Sequence, residues 1–300
     1  MRSVYRGPAA RVRVRDWCER RLETWDVPHE RSVVETASGA THVTSVGRAG
    51  EAALPSIVFV PGTNMNAAAS LPALEALSRV GHVIARDVPG QPGLSADTRP
   101  SRGRAEWYGG WLAEALERTV AAPAVVVGHS LGGAIALVRA SELIGARVLV
   151  SPAGLVRLRV SPAVLGATLP WLLRPTLPRA ERLVRHMVGR GARPARELAE
   201  WMELVGASCH SSLAPAPLPP RVLVEARRRP CFVAVGADDT FLPPSRLGRA
   251  AARLGTDLRV LDNAGHVALD EAADGVAALA ADALARVAAG GGGPSRAPGV

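Results

Sequence analysis

The feature that most constrains this chain is a six-residue turn, Gly128-His129-Ser130-Leu131-Gly132-Gly133, set between an apolar run and a helix-forming run. Ala124–Val127 reads as a buried strand, and Ala134–Leu137 favours helix. A backbone that leaves a strand and enters a helix within two residues is crowded two positions either side of the serine. Glycine at 128 and 132 removes the Cβ atoms that would collide there. The pattern is G-x-S-x-G in the strand-turn-helix context that gives it meaning: a serine oxygen presented at the carboxyl edge of a sheet, with helix N–H groups aimed at the same spot. The turn also removes a false lead. Val120 to Val138 is an uncharged run of 19 residues, long enough to suggest a membrane span, but Pro123 and the glycines break it.

Strand-like and helix-like runs alternate around this turn. Strands are expected at Ser32–Thr36, Thr41–Val46, Ser56–Val60, His82–Asp87, Ala124–Gly128, Ala146–Ser151, Cys231–Gly236 and Asp257–Leu261. From the third onward they are nearly continuously apolar, as befits strands buried on both faces. Helices are expected at Ala67–Arg79, Arg104–Thr119, Leu131–Leu143, Ser245–Leu254 and Glu271–Ala288, with a short amphipathic one at Trp17–Trp25. The alternation predicts an α/β fold: an eight-stranded, mostly parallel sheet with helices on both faces, the first two strands forming an antiparallel edge hairpin. One interval breaks the rhythm. Residues 152–229 separate the sixth and seventh strands and are punctuated by prolines. So long a structureless loop is improbable, so a helical lid inserted after strand 6 is expected. The domain reading is an N-terminal helical segment over 1–30, a core over 31–151 and 230–289, the lid over 152–229, and a disordered tail over 290–300.

A serine nucleophile needs a base, and the base an orienting carboxylate. His266, in Asn263-Ala264-Gly265-His266, follows the last strand and can reach the edge where Ser130 sits. His129 adjoins the serine and should point elsewhere; His29, His42, His82, His186 and His210 lie in elements that place them poorly. The acid comes from Gly236-Ala237-Asp238-Asp239-Thr240-Phe241-Leu242-Pro243, where two adjacent aspartates compete. For an oxyanion, the Leu131 N–H is one donor because it follows the nucleophile. The second is expected from Pro61-Gly62-Thr63-Asn64-Met65-Asn66, with the Thr63 N–H as candidate. Asn64 and Asn66 either brace that loop or cap the helix after it. Asn64, Met65, Trp171, Met187, Trp201 and Met202 are candidates for a substrate pocket; for the lid residues the alternative is the lid's own packing core.

With these residues in hand, the sequence resembles the α/β-hydrolase superfamily, in its serine-nucleophile branch, over about Ser32 to Ala288. The order Ser130, Asp239, His266, the insertion after the sixth strand and two loops carry the resemblance. Asp87-Val88-Pro89-Gly90-Gln91-Pro92-Gly93-Leu94-Ser95 is similar to the family's D-x-P-G-x-G-x-S loop with Pro92 inserted. Gly236-x-x-Asp239-x-x-x-Pro243 is similar to its acid loop, which implies Asp239 rather than Asp238. The family's His-Gly before the oxyanion residue is Pro61-Gly62 here. Within the family, the general look is that of small bacterial carboxylesterase-like members. The resemblance implies hydrolysis of a small ester through an acyl-enzyme on Ser130, with no cofactor and no metal. Other triad chemistry on the same fold (carbon–carbon bond hydrolysis, a thioesterase, a tailoring step in secondary metabolism) and a non-catalytic binding protein are the alternatives.

Composition narrows the setting. All 36 basic residues are arginine, against 27 acidic ones, giving a net charge of +9. The absence of lysine reads as a codon signature, but the excess is localised: residues 152–229 hold 13 Arg against 5 acids. Such a face is either solvated or attractive to anionic partners. No aromatic–basic interleaving accompanies it, so nucleic-acid binding is not expected. Cys18, Cys209 and Cys231 fit neither a disulfide framework nor a zinc set. The Arg-rich start has no apolar stretch behind it, so no signal peptide or transmembrane segment is expected. The reading is a cytoplasmic protein with a small-molecule substrate and an oligomeric state that the sequence leaves open.

Overall fold

Alternating burial builds the sheet. In the computed structural model, which describes residues 1–47, 55–210 and 215–290, Ile57 and Phe59 pack into one apolar layer while Val58 and Val60 pack into another. Val125 and Val127 against Val126, and Ala234 against Val233 and Val235, divide in the same way. Fully burying each such side chain contributes roughly 1.5–3 kcal/mol, and a strand loaded on both sides has no face to give to water. These residues form the middle of an eight-stranded sheet.

Its strands are β1 His29–Val34, β2 Thr41–Val46, β3 Ile57–Val60, β4 Val83–Arg86, β5 Ala124–His129, β6 Ile144–Val150, β7 Cys231–Gly236 and β8 Leu258–Leu261. Their spatial order is β8-β7-β6-β5-β3-β4-β2-β1. β1 pairs antiparallel with β2, and β2 antiparallel with β4; every other pair is parallel. The expected edge hairpin is therefore present. β1 begins three residues earlier than its composition suggests, because its register against β2, His29 opposite Val46, sets its limits rather than its own largely exposed side chains.

The helices in chain order are α1 Pro8–Glu23, α2 Leu71–Ser78, α3 Arg104–Thr119, α4 Leu131–Val138, α5 Pro162–Leu173, α6 Leu177–Val184, α7 Arg196–Ser208, α8 Pro220–Ala226, α9 Pro244–Arg253, α10 Ala268–Glu271 and α11 Ala273–Gly290. α3, α4, α8 and α9 pack on one face of the sheet; α2, α10 and α11 pack on the other. α4 stops at Val138, before the expected Leu143, because Arg139 turns extended and the chain enters β6 at Ile144. The last expected helix is split at Ala272. The tail beyond Gly290, expected to be disordered, lies outside the described residues, and Gly290 closes α11.

Residues 152–229 carry α5 to α8 between β6 and β7, so the interval is helical as expected. The N-terminal helix is longer than the sequence suggested. Pro8 opens it, where a fixed φ suits a helix start, and Ala10, Val14, Cys18 and Leu22 form a buried stripe at every fourth residue. That stripe packs with Trp171, Leu183, Trp201 and Met202 of the insertion in a third apolar cluster. Two short strands, Arg2–Ser3 and Thr98–Arg99, pair antiparallel and tether the N-terminus to the loop after β4. Leu22→Ala, at a fully buried position, is expected to cost about 2–5 kcal/mol in urea unfolding. A loss well under 1 kcal/mol would mean that α1 is not held by the insertion.

Candidate active site

Ser130 sits at the junction of β5 and α4 with φ 46° and ψ −108°, a backbone conformation that an L-residue adopts only under constraint. The surroundings supply that constraint. The Ser130 N–H donates to Val150 O at 3.0 Å, and Ser130 O accepts from Ala153 N at 2.9 Å and Ala134 N at 3.2 Å. The flanking glycines are obligatory. A Cβ at Gly132 would lie 1.9 Å from Val60 O, and one at Gly128 would lie 2.6 Å from Gly132 O.

Three separated residues converge on this turn. The Ser130 Oγ–H donates to His266 Nε2 at 3.1 Å. His266 Nδ1–H donates to Asp239 Oδ2 at 2.9 Å. Asp239 Oδ1 accepts from the N–H groups of Phe241 and Leu242, each at 2.9 Å. Burial alone would raise the pKa of Asp239, but His266 beside it and the Leu242 N–H more than offset this, holding the carboxyl below its ordinary value. Asp238 is turned away: it pairs with Arg190, whose Nε lies 3.1 Å from its Oδ1 and whose N–H donates to Oδ2 at 2.9 Å.

The loops that carry His266 and Asp239 are held from outside the core, by residues 186–190 of the insertion. Val267 N–H donates to Met187 O at 3.0 Å, and the Thr240 hydroxyl donates to His186 O at 2.6 Å. Glu271 reaches both sides, accepting from Gly189 N and from Gly265 N at 2.8 Å each. Backbone lies directly on backbone here, since a Cβ at Gly265 would be 2.5 Å from Met187 O. Glu271 was not among the sequence candidates, and of the 186–190 segment only Met187 was, as a pocket residue rather than as a brace. Nothing local marks a glutamate in a helix as a brace between two loops.

The candidate oxyanion loop is held in the same manner. Leu131 is the first residue of α4, so its N–H has no partner one turn back. Gly62 and Thr63 lie opposite, in a turn closed by Met65 N–H to Gly62 O at 3.1 Å. A Cβ at Gly62 would come within 3.4 Å of Ser130 Cβ and 2.8 Å of His129 Nδ1. Asn64 takes a left-handed φ of 62°. Its N–H donates to Gln91 Oε1 at 3.0 Å, while its carbonyl accepts from the Trp201 indole N–H at 2.8 Å. Asn66 braces the loop and does not cap the helix after it: Nδ2 donates to Pro92 O at 3.0 Å and Oδ1 accepts from Ala69 N at 2.9 Å, in a turn that precedes α2, whose N-cap is Ser70. Asp87 ties the two loops together by accepting from Ala67 N and Leu94 N.

Of the remaining pocket candidates, Met65, Trp171, Trp201 and Met202 are buried in the apolar cluster shared by α1 and the insertion. Trp171 donates to Met202 O at 2.9 Å, and Trp201 stacks against Trp17 with ring centroids 4.6 Å apart. Met187 is half-buried at the edge of this cluster. Among the described residues no three His, Cys, Asp or Glu side chains converge as a metal-ligand set, and no helix is long and apolar enough to cross a membrane.

A strand-turn-helix serine, a histidine after the last strand and an aspartate after the seventh, on this sheet order, define a hydrolase scaffold. The profile of the Alpha/beta hydrolase family matches residues 57–279, and the chain belongs to that family. Solved structures share its fold at low identity. The carboxylesterase CesB (YbfK) from Bacillus subtilis is 19% identical, with a TM-score of 0.73 over 91% of this chain and 97% of that one. The naproxen esterase (carboxylesterase NP) from Bacillus subtilis is also 19% identical, with a TM-score of 0.73 over 93% and 98%. A meta-cleavage product hydrolase from Pseudomonas fluorescens IP01 is 20% identical, with a TM-score of 0.66 over 85% and 97%. A search of curated protein sequences finds no match.

His129, next to the serine, bonds to another loop. Its Nε2–H donates to the backbone carbonyl of His266 at 2.9 Å. Burial, reinforced by the neighbouring His266, pushes its pKa down to about 4. Between about pH 6.5 and pH 4 the unfolded chain therefore takes up a proton at this position that the folded protein refuses. Stability from this group is complete above pH 6.5 and is lost as the pH falls toward 4. His129→Gln keeps an N–H donor but does not titrate. Its urea unfolding free energy is expected to fall less than that of wild type between pH 7 and pH 5. Equal losses would remove His129 as the source.

Proposed function

We propose that the protein is a serine hydrolase that cleaves a small carboxylic ester through an acyl-enzyme on Ser130. The observation that carries this reading is the continuous hydrogen-bonded line from Ser130 Oγ through His266 to Asp239, beneath a serine held at positive φ. His266 Nε2 takes the Ser130 proton as Oγ attacks the ester carbonyl. The N–H groups of Leu131 and Thr63 hold the oxygen as it becomes negative. The tetrahedral adduct collapses, the ester C–O bond breaks, and His266 returns the proton to the departing alcohol. Water then repeats the sequence on the acyl-enzyme, releasing the acid and restoring Ser130. Asp239 keeps His266 in the tautomer with Nε2 free to accept. The chemistry asks for no group beyond these side chains, the small-molecule substrate and water.

We read α5 to α8 as a cap over the carboxyl edge of the sheet, forming one wall of the substrate site. Its bonds to the oxyanion, acid and base loops support a cap that stays seated rather than a lid that swings clear. The three cysteines are buried and unpaired, which suits a reducing, cytoplasmic setting.

Short-chain p-nitrophenyl esters are expected to be cleaved by wild type and not by Ser130→Ala, and a fluorophosphonate probe should label Ser130 alone. Equal hydrolysis by both proteins would sink the mechanism. Failure to cleave any ester while a carbon–carbon bond substrate is turned over would replace it with the reading that the meta-cleavage neighbour suggests. Asp239→Asn should lower kcat by about 10³–10⁴-fold, and Asp238→Asn by far less; the reverse order would reassign the acid. Trp201→Phe keeps the ring and removes the N–H that holds Asn64. It should lower kcat about tenfold with KM little changed, a fraction of the cost of losing an oxyanion donor outright. An unchanged kcat would show that the oxyanion loop does not depend on the cap.

A further inference from the structure

Helix α5 is apolar all round. Its twelve residues, Pro162-Ala163-Val164-Leu165-Gly166-Ala167-Thr168-Leu169-Pro170-Trp171-Leu172-Leu173, carry no charge, and a helix of that kind is ordinarily buried on every side. Here only one side is covered. Val164, Ala167 and Trp171 are buried, and Trp171 bonds to Met202 O to fix the helix on α7. The opposite side holds Leu165, 45% exposed, Leu169, 47%, and Leu173, 85%, with Val160, 62%, just before the helix. Among the described residues these are four of the ten large apolar side chains left exposed, gathered in one short segment. The leucines recur every four residues, so they line one stripe about 12 Å long.

Charge next to this stripe along the chain is of one sign. Arg157 and Arg159 precede it, Arg174 follows it, and Arg182 of the neighbouring helix α6 and Arg185 just after that helix are exposed. Among the described residues none of these five makes an ion pair. No Asp or Glu occurs between Pro152 and Ala180; the nearest on these elements is the half-buried Glu181. Polar specificity is also missing. The Thr168 hydroxyl is spent on Val164 O, and the one aromatic ring of the helix faces inward. A protein interface of this size would present aromatic anchors and a hydrogen-bonding rim. An uncharged leucine stripe bordered by arginines is what an interfacial helix lays into the headgroup layer of a bilayer.

We propose that the α5 face docks the protein on the surface of an anionic phospholipid bilayer, the leucines entering the acyl boundary and the arginines meeting lipid phosphates. The position gives docking a consequence for the site. Arg159 N–H donates to Phe241 O at 2.8 Å, and the Phe241 ring centroid lies 5.1 Å from that of His266. The docking face therefore adjoins the wall of the catalytic centre. The inference does not depend on Ser130 being a nucleophile.

The test is co-sedimentation of the full chain with vesicles of phosphatidylcholine alone and of phosphatidylcholine mixed with phosphatidylglycerol. Wild type should bind the mixed vesicles, less at high salt, and the neutral ones weakly. Leu165→Ser/Leu169→Ser/Leu173→Ser should bind the mixed vesicles about tenfold or more weakly. Arg157→Gln/Arg159→Gln/Arg174→Gln should lose the preference for them. Val33→Ser/Val80→Ser, exposed apolar positions elsewhere, should bind as wild type. If the triple serine variant does not fold, Leu173→Ser alone carries the same test. Absence of wild-type binding at low salt overturns the proposal. So does binding unaffected by the leucine changes, which would be general attraction of a basic chain. A dimer in gel filtration that the leucine changes dissociate would also overturn it, assigning the face to a second copy. Hydrolysis of a water-soluble ester should be equal in all these proteins, so loss of docking and loss of the catalytic reading are separate results.

Discussion

Everything at the carboxyl edge of the sheet depends on one strained residue. Ser130 can hold its positive φ only because three hydrogen bonds fix its peptide groups and two glycines leave their Cβ space to neighbouring carbonyls. The cost of such a conformation is of order 1–3 kcal/mol, and it is met by the packing of β3, β5 and α4, buried along their whole lengths apart from Val138. Ser130 and the first N–H of α4 are thereby held at one junction by the packing of the scaffold itself.

The partners of that serine are secured differently. His266 and Asp239 sit on loops, and loops acquire fixed geometry only from contacts. Those contacts come largely from the insertion: His186, Met187 and Arg190 each exchange a hydrogen bond at the two loops, and Gly189 reaches the His266 loop through Glu271. Trp201 does the same for the loop carrying Thr63, and Trp17 of α1 backs Trp201. The insertion is thus part of the frame of the candidate site.

Local chemistry made the sheet legible in the sequence, together with the candidate residues Ser130, Asp239 and His266 that the structure brings within hydrogen-bond distance. A turn such as 128–133 has few alternative readings, period-free apolar runs mark doubly buried strands, and a histidine directly after the last strand has one edge to reach. Asp239 could be told from Asp238 only by resemblance; the physical difference between them is tertiary, one facing His266 and the other Arg190. Glu271, His129 and the indole of Trp201 were not legible as supports, because each acts on backbone far away in sequence. The length of α1 was missed although its signal was present: an every-fourth-residue stripe masked by dense arginine on the other faces. The outward stripe of α5 was hidden for the opposite reason. A helix apolar all round gives no periodicity to show which side the fold will leave bare.

The placement of α1 also bears on how quickly the molecule can form. Arg6 donates to the carbonyl of Cys209, 203 positions away, and Tyr5 bridges to the same residue. This segment is made before the insertion and therefore has to wait for its latter part before the buried stripe finds full cover. Contacts of such separation raise contact order and slow folding. Until they close, Val14, Cys18 and Leu22 remain open to water.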